Sequence, residues 1–152
     1  MNRLGLIRFT PHYRTVRWGG QHIAQFKNIH LEDTHVGESW EISSLEGMET
    51  VIAEGPLSGM TITDLLRNHG EEILGKELHE RFGEKFPLLI KFIDAEDDLS
   101  IQVHPVDKQS NGCGKTELWY IIDAQPGAHI YSGFNQKLTH GEMTRILNER
   151  TI

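Results

Sequence analysis

Polar and apolar residues alternate along Gly37-Glu38-Ser39-Trp40-Glu41-Ile42-Ser43. Alternation of period two is the mark of a strand, and it places Glu38, Trp40 and Ile42 on one face. The chain before this run, and on to about Glu54, reads as short strands and turns. Trp18-Gly19-Gly20 is a turn signal beside an aromatic ring, and Gly55-Pro56-Leu57 breaks the pattern. From Thr61 to about Phe82 the period changes. Ile62, Leu65, Leu66 and His69 recur at helical spacing, and Thr61 with Asp64 three residues later resembles a capping signal. Gly70 and Gly75 are expected to divide this region into two short helices.

The period returns to that of strands in the second half. Leu88-Leu89-Ile90-Lys91-Phe92-Ile93 is an apolar run between Pro87 and the acidic turn Asp94-Ala95-Glu96-Asp97-Asp98, which predicts a buried strand. Leu99 to His104 predicts a second, ended by Pro105, and a polar loop runs from there to Gly114. Thr116 to Ile122, rich in β-branched and aromatic residues, predicts a third, and Ala128 to Tyr131 a short fourth. Thr139-His140-Gly141-Glu142 caps a last helix through Leu147.

Two of these strands carry the polar residues that suggest chemistry. On Leu99–His104 the side chains of Ser100, Gln102 and His104 share one face, against Leu99, Ile101 and Val103 on the other. On the next strand Lys115, Glu117 and Trp119 share a face. If the two strands pair antiparallel, Gln102, His104 and Glu117 converge, and a mixed set of imidazole, carboxylate and amide oxygen suits Zn²⁺ and related divalent ions. Spacing alone leaves the bland reading open. Alternating polar residues commonly form the wet face of a sheet, and a histidine before a proline at a strand end is commonly a surface feature. Lys91 is a separate anomaly. A charge inside an apolar strand is costly unless paired, so Lys91 either snorkels to a sheet edge or stands at a cavity wall to meet an anion. Gly114-Lys115-Thr116 mimics the end of a phosphate-binding loop, but Gln109 stands where the first glycine is required and a strand follows instead of a helix. Cys113 has no paired base and reads as a bystander.

Composition narrows the field. The chain has 152 residues, a length that suits one domain with a sizeable core of its own. A formal charge of −7 disfavours non-specific binding to nucleic acid and repels anions at long range, so any phosphate site must be built from locally placed Lys or Arg. A single cysteine excludes an intrachain disulfide and points to a reducing compartment. No apolar run approaches membrane-spanning length and the N-terminus lacks a secretory h-region, so the expectation is a cytoplasmic protein with no membrane partner.

Taken together, the segments Pro87 to Asp94, Leu99-Ser100-Ile101-Gln102-Val103-His104-Pro105 and Gly114-Lys115-Thr116-Glu117-Leu118-Trp119-Tyr120 resemble the type I mannose-6-phosphate isomerases. Trp18-Gly19-Gly20, Gly37 to Ser43 and Tyr131-Ser132-Gly133-Phe134 resemble further segments of that family, in the same order. The resemblance implies a mainly β fold, an incomplete cupin-type jelly roll spanning 1–152 with a helical insertion at about 61–82. It also implies a metal-dependent isomerase that interconverts mannose 6-phosphate and fructose 6-phosphate through a cis-enediol, with one divalent ion, usually zinc. By similarity Gln102, His104 and Glu117 are metal ligands. Lys91, Ser100 and Lys115 line the sugar-phosphate pocket, and Lys115 is also the catalytic candidate. No residue here is a secure candidate for the proton-shuttling base.

Two departures bear on that expectation. Gln102 stands where cupins in general have the first histidine of a His-x-His pair, and a long loop separates His104 from Glu117. Both are shared with the isomerases. The family's last histidine ligand and a catalytic arginine come from a later segment without a counterpart here. The chain therefore reads as the N-terminal part of such an enzyme, inactive alone, with strand edges that either pair with a second copy in a homodimer by strand exchange or leave a site that binds metal weakly. The competing reading is a non-catalytic metal- or sugar-phosphate-binding cupin module.

Overall fold

The alternation around Trp40 produces the central strand of the structure, a computed structural model that describes residues 4–105 and 114–149. Along the chain the elements are β1 (Phe9–Thr10), β2 (His12–Thr15), α1 (His22–Lys27), β3 (Val36–Ile42), β4 (Val51–Ile52), α2 (Ile62–Leu74), α3 (Lys76–Phe82), β5 (Ile90–Ile93) and α4 (His140–Glu149). They fall into two units, residues 1–99 and 100–152.

In the first unit β3 lies between β2 and β5, antiparallel to both, and β1 pairs with β4. The register sets His12 opposite Trp40, Arg14 opposite Glu38, and Trp40 opposite Lys91. With a neighbour on each side, β3 is buried from Val36 to Trp40. Gly37 permits this closeness, because a Cβ there would strike Val16, Trp18 and the backbone of Gly19. Gly19 in turn lies so near that its own Cβ would stand 2.5 Å from the Gly37 nitrogen. The turn Trp18-Gly19-Gly20 is thus a backbone-on-backbone contact that only glycine tolerates.

The core of this unit joins Trp40 and Val36 with Ile23 of α1, Ile52 of β4, and Ile62, Leu65 and Leu66 of α2. Those last three are the residues that the helical period selects. Thr61 caps α2, its Oγ1 accepting from the Asp64 amide at 3.1 Å and donating to the Asp64 carboxylate at 2.8 Å. The cap satisfies an amide that the first helical turn leaves unpaired. Gly75, at φ 76°, separates α2 from α3 as expected. The other expected break lies beside Gly70: His69 leaves helical geometry, so α2 is two helical pieces that meet at a kink, and the missing side chain of Gly70 makes room for the His79 ring of α3.

Two local differences from the sequence reading concern α1 and β5. The six residues of α1 lie within a stretch expected to hold only strands and turns. This helix has no side-chain cap from Gln21. Instead the Asp94 carboxylate, 72 residues away in sequence, accepts from the His22 amide at 2.5 Å. The expected strand Leu88–Ile93 begins only at Ile90, and Leu88, Leu89 and Ile90 are exposed.

The second unit departs further. Its helix α4 forms as the sequence predicts, with a capping box in which the Glu142 amide donates to Thr139 Oγ1 at 3.3 Å and the Glu142 carboxylate accepts from the Thr139 amide at 2.7 Å. The strands expected at 99–104, 116–122 and 128–131 do not form. Ile101, Val103, Leu118, Trp119, Tyr120, Ile121, Ile122, Ile130 and Tyr131 are all exposed. The physical reason is pairing. A strand's amides and carbonyls are satisfied only by an adjacent strand, and no ladder pairs these segments among the described residues. The face of Leu99, Ile101 and Val103 that alternation assigns to a core therefore has none to enter.

Candidate functional site

Residues from the two sides of the expected loop meet in the second unit. The Lys115 amide donates to the Pro105 carbonyl at 3.3 Å, which ties the segment ending at Pro105 to the one that begins at Gly114. His104 Nε2 then stands 3.5 Å from Glu117 Oε2, and Lys115 Nζ stands 2.8 Å from Glu117 Oε1. Each oxygen of one carboxylate thus has its own nitrogen partner. The hydrogen bond from Lys115 is the main force holding the Glu117 carboxyl below its usual value; partial burial opposes it, and the Lys115 and His104 charges and a bond from Trp119 assist. The carboxylate form of Glu117 is favoured in consequence.

Two of the three candidate ligands are therefore together. Donor atoms about 2.1 Å from a tetrahedral ion stand roughly 3.4 Å apart. The His104–Glu117 separation matches that spacing, and one imidazole with one carboxylate is a donor set that zinc accepts. The third, Gln102, donates its amide nitrogen to Ser100 Oγ at 2.8 Å. That bond engages Nε2 and not Oε1, the amide atom suited to a cation. Among the described residues no group of three or more His, Cys, Asp or Glu side chains is arranged to hold a metal. The expected loop from Pro105 to Gly114, with Gln109 and Cys113, lies largely outside the described residues.

Lys91 belongs to the first unit, and its surroundings resolve the puzzle of a charge in an apolar strand. Its Nζ donates to Glu38 Oε1 at 2.7 Å. Glu38 is only 6% exposed. Its other oxygen accepts from Arg14 Nη1 at 2.9 Å and from the Trp40 indole at 2.9 Å. Burial pushes the Glu38 carboxyl up, but the bonds from Lys91 and Trp40 and the charges of Lys91 and Arg14 together outweigh it and hold it below its usual value. The Arg14 guanidinium also lies 5.1 Å from the centre of the Trp40 ring. Sequence reasoning missed Glu38 and Arg14. The signal was available in part: a lysine inside an apolar strand demands an acid nearby, and Glu38 is the acid on the Trp40 face.

The opposite face of β3 carries a second polar group. Lys27 of α1 donates to Ser39 Oγ at 3.0 Å and to Glu41 Oε1 at 2.7 Å, with its ammonium 5.1 Å from the Tyr13 ring centre. This anchors α1 to the sheet. A surface cavity of about 370 Å³ along α2, lined by Arg67, His69, Glu72 and His79 among others, holds none of the expected site residues.

The model of the phosphomannose isomerase type I catalytic domain matches residues 6–146. This chain belongs to the type I phosphomannose isomerase family. Among its relatives, mannose-6-phosphate isomerase ManA of Bacillus subtilis is 35% identical over 144 residues, which are 91% of this chain and 44% of the relative. Mannose-6-phosphate isomerase of Streptococcus mutans is 34% identical over 124 residues, 79% of this chain and 38% of the relative. The crystal structure of the mannose 6-phosphate isomerase from Bacillus subtilis superimposes with a TM-score of 0.78 at 32% identity, covering 95% of this chain and 46% of that one. The chain thus spans less than half the length of these relatives. Antiparallel sheets with a helical insertion agree with the incomplete cupin-type jelly roll of the family. No helix among the described residues is long and apolar enough to cross a membrane.

Proposed function

We propose that the chain supplies part of the metal and sugar-phosphate site of a mannose-6-phosphate isomerase, an enzyme that exchanges mannose 6-phosphate and fructose 6-phosphate. The observation that carries this reading is the meeting of His104, Lys115 and Glu117 in a member of the family. Gln102, His104 and Glu117 would hold one divalent ion, with zinc the best match to the donors. Such an ion supplies Lewis-acid stabilisation of the oxyanion that develops as a proton moves between C1 and C2. Lys115 keeps Glu117 ionised and offers a cation to the same developing charge, the ground for treating it as catalytic as well as substrate-binding. Lys91, Ser100 and Lys115 are assigned to the phosphate, for which a chain of net charge −7 needs locally placed cations. A reducing, cytoplasmic setting and a small-molecule substrate fit this role.

Residues 1–152 alone are proposed to be inactive. They offer three candidate ligands, and a catalytic zinc needs a full protein set beside its open position. The segments at 99–104 and 116–122, which join no ladder among the described residues, are suited to pairing with further strands or, by strand exchange, with a second copy.

A chimera tests the reading. Residues 1–152 replace the matching part of Bacillus subtilis ManA, and isomerisation of mannose 6-phosphate is measured with added Zn²⁺. The chimera is expected to turn over, His104→Ala to abolish activity, and the isolated 152 residues to show none. Lys115→Ala should weaken binding of the phosphorylated sugar roughly ten- to hundredfold while sparing free mannose, as loss of a charge-assisted hydrogen bond implies. Full activity with His104→Ala, or equal losses for both sugars with Lys115→Ala, would sink the respective assignments.

A further inference from the structure

Glu38 divides its partners between its two oxygens. Oε2 accepts from Arg14 and from the Trp40 indole, whereas Oε1 accepts from Lys91. The two cations approach from opposite neighbours of β3, since Arg14 lies on β2 and Lys91 on β5. One carboxylate between two cations leaves a surplus of one positive charge. Arg14 is fixed twice, by its bond to Oε2 and by its seat over the Trp40 ring. Lys91 holds the carboxylate by a single bond, and its side chain keeps a quarter of its surface open to solvent. If Lys91 turned to another anion, Glu38 would remain bound at Oε2 and its charge would remain matched. A buried carboxylate stripped of all cations would resist that exchange, because an uncompensated buried charge is costly.

We propose that Arg14 is a positioning residue for anion binding: by compensating Glu38 from the β2 side it leaves the Lys91 ammonium as the surplus charge that meets the substrate's phosphate. The inference rests on the assignment of Lys91 to the phosphate made above, and adds to it a residue that acts through Glu38 without touching the ligand. Without Arg14, Glu38 and an incoming phosphate compete for one ammonium. Removal of the Glu38 charge as well ends the competition.

The test measures inhibition by inorganic phosphate and KM for mannose 6-phosphate on the full chain as the cell makes it, carrying Arg14→Gln, Arg14→Lys, Glu38→Gln, the double change Arg14→Gln with Glu38→Gln, or Lys91→Met. Arg14→Gln is expected to weaken phosphate binding about fivefold or more, a size ordinary for coupled neighbours. Arg14→Lys should stay near the parent. The double variant should return to within about twofold of it, and KM should change in Arg14→Gln with kcat near the parent, a split that a merely structural arginine does not produce. Unchanged phosphate affinity in Arg14→Gln, or a loss that Glu38→Gln fails to relieve, overturns the role of Arg14. Unchanged affinity in Lys91→Met overturns the phosphate assignment of Lys91 itself, and this inference with it. Weakened binding in Lys91→Met beside unaltered binding in Arg14→Gln removes the inference alone.

Discussion

Strand β3 and the segment 116–122 have similar patterns and opposite fates. Both are seven-residue runs that contain a tryptophan. Trp40 on β3 is 8% exposed, whereas Trp119 is 48% exposed. β3 has a neighbour on each side, and 116–122 has none among the described residues. The difference teaches that a strand belongs to a pair of segments and not to one. β-propensity reports how well a side chain fits a pleated, half-buried surface, and that surface exists only when a partner makes it. The same contrast separates the buried faces of residues 4–99 from the exposed apolar side chains of residues 100–105 and 114–149.

Hydrogen exchange offers the sharpest way to break this comparison. Ladder amides of β3 should exchange roughly a thousandfold or more slowly than those of 116–122, since they open only with the unit as a whole. Comparable rates in the two segments would show that the paired sheet is no more stable than the unpaired run. Truncation of side chains comes next. Leu66→Ala, at a position with 0% exposure, should cost about 2–5 kcal/mol in urea unfolding. Leu118→Ala, at 89% exposure, should stay within about 0.5 kcal/mol of the parent. A large cost at Leu118 would mean that its segment is buried in solution, for instance against a second copy.

Charge gives a smaller contrast. Glu38 and Glu117 are both held below their ordinary value. A carboxyl with a lowered folded-state pKa adds stability above its unfolded pKa and loses it as pH falls through the folded one. Acid should therefore begin to destabilise the first unit below the ordinary glutamate value of 4.5. Glu38→Gln should flatten that profile and cost about 1–3 kcal/mol at neutral pH. Glu117, with a side chain 35% exposed, should contribute little, as exposed pairs do. An unaltered acid limb in Glu38→Gln would move the origin of the pH dependence elsewhere. The smallest expected effect concerns the caps. Thr61→Ala should cost about 1 kcal/mol. Thr139→Ala removes a comparable cap from α4, a helix with no buried residue. It should lower the helical circular dichroism without shifting the midpoint of unfolding.

Much of this was legible in the residues and some was not. Alternation located β3 and its inward Trp40, and helical spacing selected Ile62, Leu65 and Leu66, because each signal repeats within one element. The order of the motifs from Trp18 to Phe134 was enough to suggest the family. For the candidate site, the meeting of His104 and Glu117 was legible through the expectation that their segments lie side by side. That expectation invoked a sheet, whereas the described segments meet through a backbone bond from Lys115 to Pro105 without a ladder among the described residues.

By itself the sequence determined whatever closes within about four residues. The Thr61 and Thr139 caps, the turn at Gly75 and the face of α2 depend on neighbours that the chain cannot avoid. Only the tertiary structure decided which extended runs became strands, because backbone groups there need a partner from elsewhere. It also decided that Asp94 would cap α1, and that Glu38 would gather Arg14 from 24 residues away and Lys91 from 53. No local pattern encodes those encounters. They follow from the register of β2, β3 and β5, which places the three side chains close enough for opposite charges to neutralise one another away from water.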